Sequence, residues 1–427
     1  MSYTAPVNEL RFGIRVHGRL DEILQLPHAE GLDAETVDAV LDEAARFASE
    51  QWADTNCTGD LHGAVFSDNL ITTHPDLARA YYDFCEAGWA GLRAPAEFGG
   101  QGLPAVVSAA CEEMWCAANL ALSLMPMLTL GAVDALFKHG SEEQKQTYLP
   151  KMCSGEWAGT MNLSEPQAGS DLNHIATRAV PKENGAYALS GQKIFITWGD
   201  QEMTENIVHL VLARLPDAAP GVQGVSMFIV PKYLVNADGS LGGRNGVRAI
   251  GIEHKLGIHA SPTCTMEFDN AEGYLVGRAG KGLAYMFTMM KTARLNVGIE
   301  GHAVAERAYQ NALAYAKERA GTRRGGRFRR RSDYPPSRRT PYVVDTKGNA
   351  RRPTRPVSAR RRPDRFCRRL PRQRIAQRSG ARTGFPDSHR QSLADRQRRR
   401  PDQPHRPHAH PHRPRPRRDL SPRPRPL

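Results

Sequence analysis

The sequence predicts an α+β protein with an N-terminal helical domain, a middle β-barrel domain and the beginning of a second helical domain. Apolar residues recur at helical spacing up to about residue 153, alternate between about residues 156 and 268, and return to helical spacing from residue 282. No helical pattern separates the middle strands, which favours a small barrel or sandwich. The expected boundaries are 1–155 for the helical domain, 156–275 for the barrel, 276–320 for the incomplete second helical domain and 321–427 for a disordered Arg/Pro-rich tail.

The N-terminal domain carries several helix signals. Residues 33–52, DAETVDAVLDEAARFASEQW, place apolar side chains on one helix face. Ser141 and Gln144 have the spacing of a capping box before another helix, and Pro75 suits the first turn of a third. The apolar face consists of Val37, Val40, Leu41, Ala44, Phe47, Ala48 and Trp52.

A membrane span is an alternative at residues 114–133, which are uncharged over 20 residues. Four residues interrupt this stretch, so we interpret it as a pair of buried helices; they are Asn119, Ser123, Pro126 and Thr129. The N-terminal residues MSYTAPVNELRF lack the basic and apolar segments of a signal peptide. The seven cysteines form no C-x-x-C pair and no zinc-binding spacing. We therefore expect a cytoplasmic protein with free thiols and no metal site.

The middle domain has the period of β-strands. Residues 187–197, YALSGQKIFIT, predict a hairpin of two strands with a turn at Ser190 and Gly191. Further strands, bounded by Gly, Pro and Asp, are predicted at 206–214, 225–232 and 262–268.

A long helix is predicted from Gly282 to Ala320. One amphipathic face on a helix of this length needs partner helices to cover it. We expect those partners to be absent, which would leave the face exposed. The predicted face consists of Leu283, Met286, Phe287, Met290, Ala293, Val297, Val304, Ala308 and Leu313.

The two parts of the chain differ in charge. Residues 321–427 contain 33 Arg and one Lys against seven Asp and no Glu, a net charge of +27, together with 17 of the 30 prolines. Residues 1–320 carry 24 basic and 38 acidic side chains, a net charge of −14. Such a tail has little apolar surface to bury, so we expect disorder. Arg-rich segments bind polyanions without sequence preference, but Arg and Pro without Lys or Glu are typical of a GC-rich message read in the wrong frame.

The segment most informative about function is residues 161–172, MNLSEPQAGSDL, which joins the helical domain to the strands. Its small residues and backbone amides can cradle a polar or anionic ligand, although the same composition also describes an ordinary cluster of turns. LSGQKIFIT follows about 20 residues later, and then HKLGIHASPTCTMEF at residues 254–268. These three motifs, in this order, resemble the acyl-CoA dehydrogenase family over residues 1–320. YTAPVNELRF and MFTMMKTARLNVG resemble the long-form branch, which includes methylmercaptopropionyl-CoA dehydrogenases.

The resemblance implies an FAD site. Met161, Leu163 and Ser164 would line the flavin, with the Ser164 hydroxyl in place of the family's more usual Thr. Phe195 and Thr197 would contact its other side, with Phe195 where many members have Trp.

The resemblance also implies a CoA site. Ser170 would lie along the path of the CoA, and Arg294 matches a family Arg associated with CoA binding. An ordinary surface cation remains the alternative for Arg294.

The family removes the α-proton of an acyl-CoA thioester with a carboxylate while the β-hydrogen leaves as hydride to the flavin. Electrons then pass to an electron-transfer flavoprotein, as in fatty acid β-oxidation, and the enzymes form homodimers or homotetramers. The base is a Glu in a late Tyr-Glu-Gly-Thr-like motif or, in a minority, on the first C-terminal helix, where this chain has Ala293.

No catalytic base is therefore assigned. We expect a chain that is frameshifted after about residue 320, with neither turnover nor a closed oligomer. An FAD- or CoA-binding remnant with a polyanion-binding tail and an acyl-CoA oxidase-like enzyme are the alternatives.

Overall fold

The computed structural model describes residues 3–318 and two short strands, β12 (Val343–Val344) and β13 (Ala350–Arg351), which pair antiparallel. Apart from these two strands, residues 321–427, to which the predictions of a disordered, frameshifted or polyanion-binding tail apply, lie outside the described residues. Eight helices and one hairpin form the N-terminal part. They are α1 (Val7–Phe12), α2 (Leu20–Ile23), α3 (Ala34–Phe47), α4 (Asp54–His62), β1 (Val65–Ser67), β2 (Leu70–Thr72), α5 (Pro75–Glu86), α6 (Ala105–Ala118), α7 (Leu120–His139) and α8 (Glu142–Ser154).

Local signals set several helix ends as expected. The Asp33 side chain accepts a hydrogen bond from the Thr36 amide at the start of α3. Ser141 and Gln144 form the reciprocal capping box of α8, and Pro75 occupies the first turn of α5. The hairpin β1–β2 was not predicted, because strands of three residues carry too short an alternation to detect.

Helices α6 and α7 are the pair of buried helices predicted at residues 114–133. Among the described helices, α7 is the one long and apolar enough to cross a membrane, but 72% of its most apolar window is buried inside the protein. The Trp52 indole donates to the Ser123 hydroxyl at 3.0 Å, and the Thr129 hydroxyl accepts from the Gly159 amide at 3.0 Å. The polar residues that interrupt the stretch therefore pair inside the core.

The middle region is a closed barrel. β11 pairs with β5 and β7, β7 with β6, β6 with β4, and β4 with β5, so five strands form a ring. β10 extends the ring at β11, and β3 lies beside β6. The small sheet β8–β9 is separate. The strands are β3 (Trp157–Asn162), β4 (Arg178–Pro181), β5 (Tyr187–Thr197), β6 (Asn206–Arg214), β7 (Val225–Pro231), β8 (Tyr233–Val235), β9 (Leu241–Arg244), β10 (Val247–Ile252) and β11 (Thr263–Leu275).

The predicted hairpin at residues 187–197 is wrong. These residues form one continuous strand, β5, which pairs along its length with β11. Gly191 does not turn the chain; its Cβ position lies 2.6 Å from the Thr177 hydroxyl, so a side chain there would collide with that residue. Ser190 and Gly191 resemble a turn in sequence, but a long partner strand supplies ladder hydrogen bonds on both sides of them.

Helix α9 (Gly282–Glu318) follows the barrel and packs on α6, α7 and β7. A Cβ at Gly282 would lie 2.3 Å from the Ser226 carbonyl carbon, so glycine permits this close start. The buried residues of α9 include Met286, Met289, Asn296 and Ala303. The expectation of an exposed face therefore holds only in part. Phe287, Val297 and Val304 are exposed, whereas Met286 is buried.

Candidate active site

A β-bulge in β5 lies beside the predicted flavin residues, which we call the candidate cleft: Met161, Leu163, Ser164, Phe195 and Thr197. Cys264 pairs with Ile196, and Met266 pairs with Lys193. Between these two pairs β11 has one residue and β5 has two, so β5 carries one extra residue. Phe195 lies in the bulge, has a left-handed φ of 60° and is 60% exposed. A bulge re-aims the side chain it carries. It turns Phe195 outward, whereas Lys193 and Ile196 on either side are buried.

Lys193 and Glu165 form a buried ion pair behind this cleft. The Lys193 ammonium lies 2.7 Å from the Glu165 carboxylate and donates to the Leu163 carbonyl at 3.2 Å. Glu165 also accepts hydrogen bonds from the Thr177 hydroxyl at 2.6 Å and the Ala176 amide at 2.7 Å. Every charge in this group has several partners, so the loop after β3 is held to β5 at a fixed position.

The pKa values of Lys193 and Glu165 indicate that both side chains are charged. Burial lowers the pKa of Lys193 to about 8, although the Glu165 carboxylate opposes this. Burial by itself would raise the pKa of Glu165, but Lys193 and the hydrogen bonds from Thr177 and Ala176 outweigh it and lower that pKa. The pair is therefore ionised at neutral pH.

Ser164 and Thr197 meet at the same cleft. The Ser164 carbonyl accepts a hydrogen bond from the Ile194 amide at 2.9 Å, which places Ser164 beside the bulge. Thr197 ends β5 opposite Thr263. Neither the Ser164 nor the Thr197 hydroxyl has a hydrogen-bond partner within residues 3–318, and both residues are partly exposed.

Met161 and Leu163 form the apolar floor. Both pack against the core cluster that contains Met286 and Met289 of α9. Trp198, just after β5, has a left-handed φ of 52° and donates from its indole to the Ala121 carbonyl at 3.0 Å. This bond ties the bulged end of β5 to α7.

The two residues predicted to contact CoA, Ser170 and Arg294, are both exposed. Ser170 is exposed on the loop after β3. Arg294 is exposed on α9, where its guanidinium carbon lies 5.7 Å from the centre of the Phe287 ring. The contacts of the described residues join neither to Ser164. Ala293, the minority position of the family's base, is a half-buried methyl group on α9.

A second feature is a cavity of about 30 Å³ inside the helical layers, between α6, α7 and α9. Trp52, Phe84 and Trp89 supply an aromatic wall. The Trp115 indole N–H from α6 and the Asn296 amide N–H from α9 line it, and each residue is only 5% exposed. Neither N–H has a hydrogen-bond partner among the described residues.

Charged residues stand beside the cavity. Arg93 pairs with Asp134 at 3.0 Å, and the Ser108 hydroxyl donates to Glu112 at 3.1 Å. Burial raises the pKa of Glu112 to about 7, with Asp134 and Glu300 adding to the rise, while Arg93 and Ser108 oppose it. Glu112 is therefore partly protonated at neutral pH.

Sequence reasoning missed most of these residues as functional candidates. Lys193 carried a signal, because it is a lysine at an inward position of an otherwise apolar alternation. Trp115 and Asn296 carried none, since they meet only when α6 and α9 pack together.

The helical layers packed against a closed barrel define a class of barrel-containing helical proteins. Two family models match the chain: the acyl-CoA dehydrogenase N-terminal domain over residues 34–156 and the acyl-CoA dehydrogenase middle domain over residues 160–271. The chain belongs to the acyl-CoA dehydrogenase family.

Several proteins of known function or structure are similar. The 3-methylmercaptopropionyl-CoA dehydrogenase of Ruegeria pomeroyi is 47% identical over 76% of this chain and 55% of its own length. A structure described as the electron transferring flavoprotein of Acidaminococcus fermentans matches at 28% identity and a TM-score of 0.56, covering 70% of this chain and 72% of the other. An acyl-CoA dehydrogenase complexed with FAD from Bacillus anthracis matches at 25% identity and a TM-score of 0.56, covering 68% and 46%.

The chain spans about half the length of the first curated relatives it matches. Acyl-CoA dehydrogenases bind FAD, and the residues of the cleft fit a flavin. An outward aromatic ring, two hydroxyls without protein partners and an apolar floor offer stacking, hydrogen bonding and burial to a flat heteroaromatic ring.

Proposed function

We propose that this protein descends from the FAD-dependent acyl-CoA dehydrogenases, which oxidise the α,β-bond of an acyl-CoA thioester, and keeps their flavin-binding residues without their catalytic base. The bulge in β5 supports this most directly, because it turns Phe195 out beside Ser164 and Thr197. FAD, when bound, accepts the hydride from the β-carbon.

The residues of this chain have distinct parts in the proposal. The Ser164 and Thr197 hydroxyls bind the polar edge of the flavin, and Phe195 packs against its ring. Lys193 and Glu165 hold the loop that carries Ser164. The floor at Met161 and Leu163 excludes water. Ser170 and Arg294 are proposed CoA contacts.

The proton at the α-carbon needs a carboxylate. Ala293 has none, and residues 319–427 contain no Glu. We therefore expect these 427 residues to bind FAD weakly, to purify without yellow colour, and to give no acyl-CoA-dependent dye reduction. From the family we also propose that an active form would pass its electrons to an electron-transfer flavoprotein. It would assemble as a dimer or tetramer.

The cleft is tested by titrating the purified protein with FAD and following the quenching of flavin fluorescence. Phe195→Ala should weaken FAD binding by about tenfold, because a stacked aromatic ring contributes on the order of 1 kcal/mol beyond its buried area. Phe12→Ala is the matched control, since Phe12 is similarly exposed at 56% on α1. Equal affinity in both variants would place the flavin elsewhere, and a yellow, active preparation would refute the expected loss of turnover.

A further inference from the structure

Two aromatic residues at the end of β5 have a backbone conformation that bulky residues rarely adopt. Phe195 has a φ of 60° and Trp198 has a φ of 52°, so both lie in the left-handed region. That region is unfavourable for residues with a large side chain, and it persists only where surrounding contacts impose it. Thr197, a predicted flavin contact, lies between these two positions. Residues 195–198, the strained segment, therefore need anchors on both sides.

A buried ion pair stands at each end of the strained segment. The Lys193–Glu165 pair holds the chain on the N-terminal side. On the C-terminal side, the Asp200 carboxylate lies 2.8 Å from the Lys232 ammonium, and these two residues are 4% and 3% exposed. Charges buried this deeply stay in place only while they are paired, so each pair fixes the backbone that carries it.

Lys232 directly follows β7 and contacts the turn that follows β5. Its ammonium donates to the Gln201 carbonyl at 2.8 Å as well as to Asp200, and it lies 3.3 Å from the Glu202 carboxylate. Asp200 also accepts a hydrogen bond from the Gln201 amide at 2.9 Å, and the Arg244 guanidinium lies 3.5 Å from its second oxygen. A lysine at the end of β7 therefore contacts three consecutive residues, 200–202.

The backbone connects this anchor to the candidate cleft. The Gly199 amide donates to the Ile196 carbonyl at 3.2 Å, which closes a tight turn with Thr197 and Trp198 at its centre. Asp200 is the residue directly after this turn. Holding Asp200 therefore fixes where the turn ends, and with it the direction in which Thr197 is presented.

We propose that Lys232 is a positioning residue for the flavin site, and that it acts through Asp200 to hold the turn that presents Thr197. Its ammonium contacts residues 200–202, so its effect on a bound flavin is indirect. This inference rests on the proposed flavin-binding role of the candidate cleft and deepens it, because it names a residue outside the motifs that keeps the cleft in one conformation.

Two variants distinguish positioning from plain stability. Lys232→Met leaves the Asp200 carboxylate buried without its cation, so it should destabilise the protein. Combining Lys232→Met with Asp200→Asn removes both charges and should recover most of that stability. The double variant still lacks the ion pair that fixes the turn, so its affinity for FAD should stay low. If Lys232→Met does not fold, the double variant alone carries the test.

The first measurement is a titration of the full chain with FAD, followed by the quenching of flavin fluorescence at a temperature where circular dichroism shows each variant folded. The double variant should bind FAD about tenfold more weakly than the unmodified chain, as expected when about one hydrogen bond is lost. Arg93→Met is the matched control, because it breaks the half-buried pair with Asp134 in the helical layer. Its affinity for FAD should stay within about twofold of that of the unmodified chain.

The second measurement does not depend on FAD. Amide hydrogen exchange of the free protein reports local opening of the backbone. In the double variant, a peptide that covers residues 195–201 should exchange about fivefold faster than in the unmodified chain, because the turn has lost its anchor. A peptide from α3 should exchange at an unchanged rate, which shows that the rest of the fold is intact.

The outcomes separate this inference from the proposal on which it rests. If the double variant regains FAD affinity together with stability, or if residues 195–201 exchange in it at an unchanged rate, Lys232 has only a structural role. The inference then fails while the flavin site stands. If Phe195→Ala also leaves the affinity for FAD unchanged, the flavin does not bind at the candidate cleft, and both proposals fall.

Discussion

Two buried polar groups in this molecule differ in how fully the protein satisfies them. Behind the cleft, the Glu165 carboxylate has Lys193, Thr177 and the Ala176 amide as partners. Between α6 and α9, the Trp115 and Asn296 donors have none among the described residues. Both groups lie inside the fold, and both cost free energy to bury.

The difference indicates two roles. A fully paired network holds a loop in one position, because moving any member exposes a charge without a partner. An unpaired group contributes nothing to holding the fold, so its presence needs a reason outside stability. The first arrangement holds the loop after β3 in place, and the second leaves two donors without partners among the described residues.

Breaking the paired network should have the largest effect. Lys193→Met leaves the Glu165 carboxylate buried without its cation, and we expect the free energy of unfolding to fall by about 3–5 kcal/mol. Urea unfolding followed by circular dichroism measures it. Lys182→Met is the control, because Lys182 pairs with Glu272 near the surface and should lose less than about 1 kcal/mol. Similar losses of unfolding free energy in the two variants would show that Lys193 contributes no more to stability than a lysine in a surface ion pair.

A single donor of the same network should matter less. Thr177→Val removes the hydroxyl that donates to Glu165 and keeps the shape, so we expect a loss of about 1–3 kcal/mol in urea unfolding. Because Thr177 lies behind the loop that carries Ser164, FAD affinity should fall as well. A stable variant with unchanged FAD affinity would argue against a positioning role for this network.

Glu112, which lies beside the cavity, should make the free energy of unfolding depend on pH. The folded pKa of Glu112 is raised from its ordinary value of 4.5 to about 7, so folding favours the protonated form. Its contribution is fully present below about pH 4.5 and is lost as the pH rises towards 7. Relative to Glu112→Gln, the wild-type protein should lose about 3 kcal/mol over this window. Parallel melting-temperature curves from pH 4.5 to 7.5 would contradict it.

Removing an unpaired donor should have the smallest effect on stability. Asn296→Leu deletes an amide N–H that has no partner within residues 3–318, so we expect a change within about 1 kcal/mol, in either direction. Thermal unfolding without ligand measures it. A loss as large as that of Thr177→Val would show that Asn296 holds α9 to α6, and would remove the contrast between the two groups.

Much of this protein was determined by the sequence itself. Helical spacing, a capping box at Ser141 and Gln144, and strand alternation are local properties, because each depends on residues within a few positions of one another. They predicted α3, α5, α8, the buried pair α6 and α7, the barrel strands and α9. The motif at residues 161–172 and the Phe195–Thr197 segment are short contiguous runs as well, and the flavin contacts assigned to them stay a prediction.

Tertiary structure decided the rest. Residues 187–197 form one strand because β11 pairs along their whole length, and Phe195 turns outward because β5 has one more residue than its partner there. The buried side of α9 is chosen by α6 and α7, so Met286 is buried although its face was expected to lie exposed. Lys193 meets Glu165 across 28 positions, and Trp115 meets Asn296 across a greater distance in sequence. No local sequence pattern encodes such contacts. Distant elements must pack together before it is settled which polar groups are buried side by side and which of them find a partner.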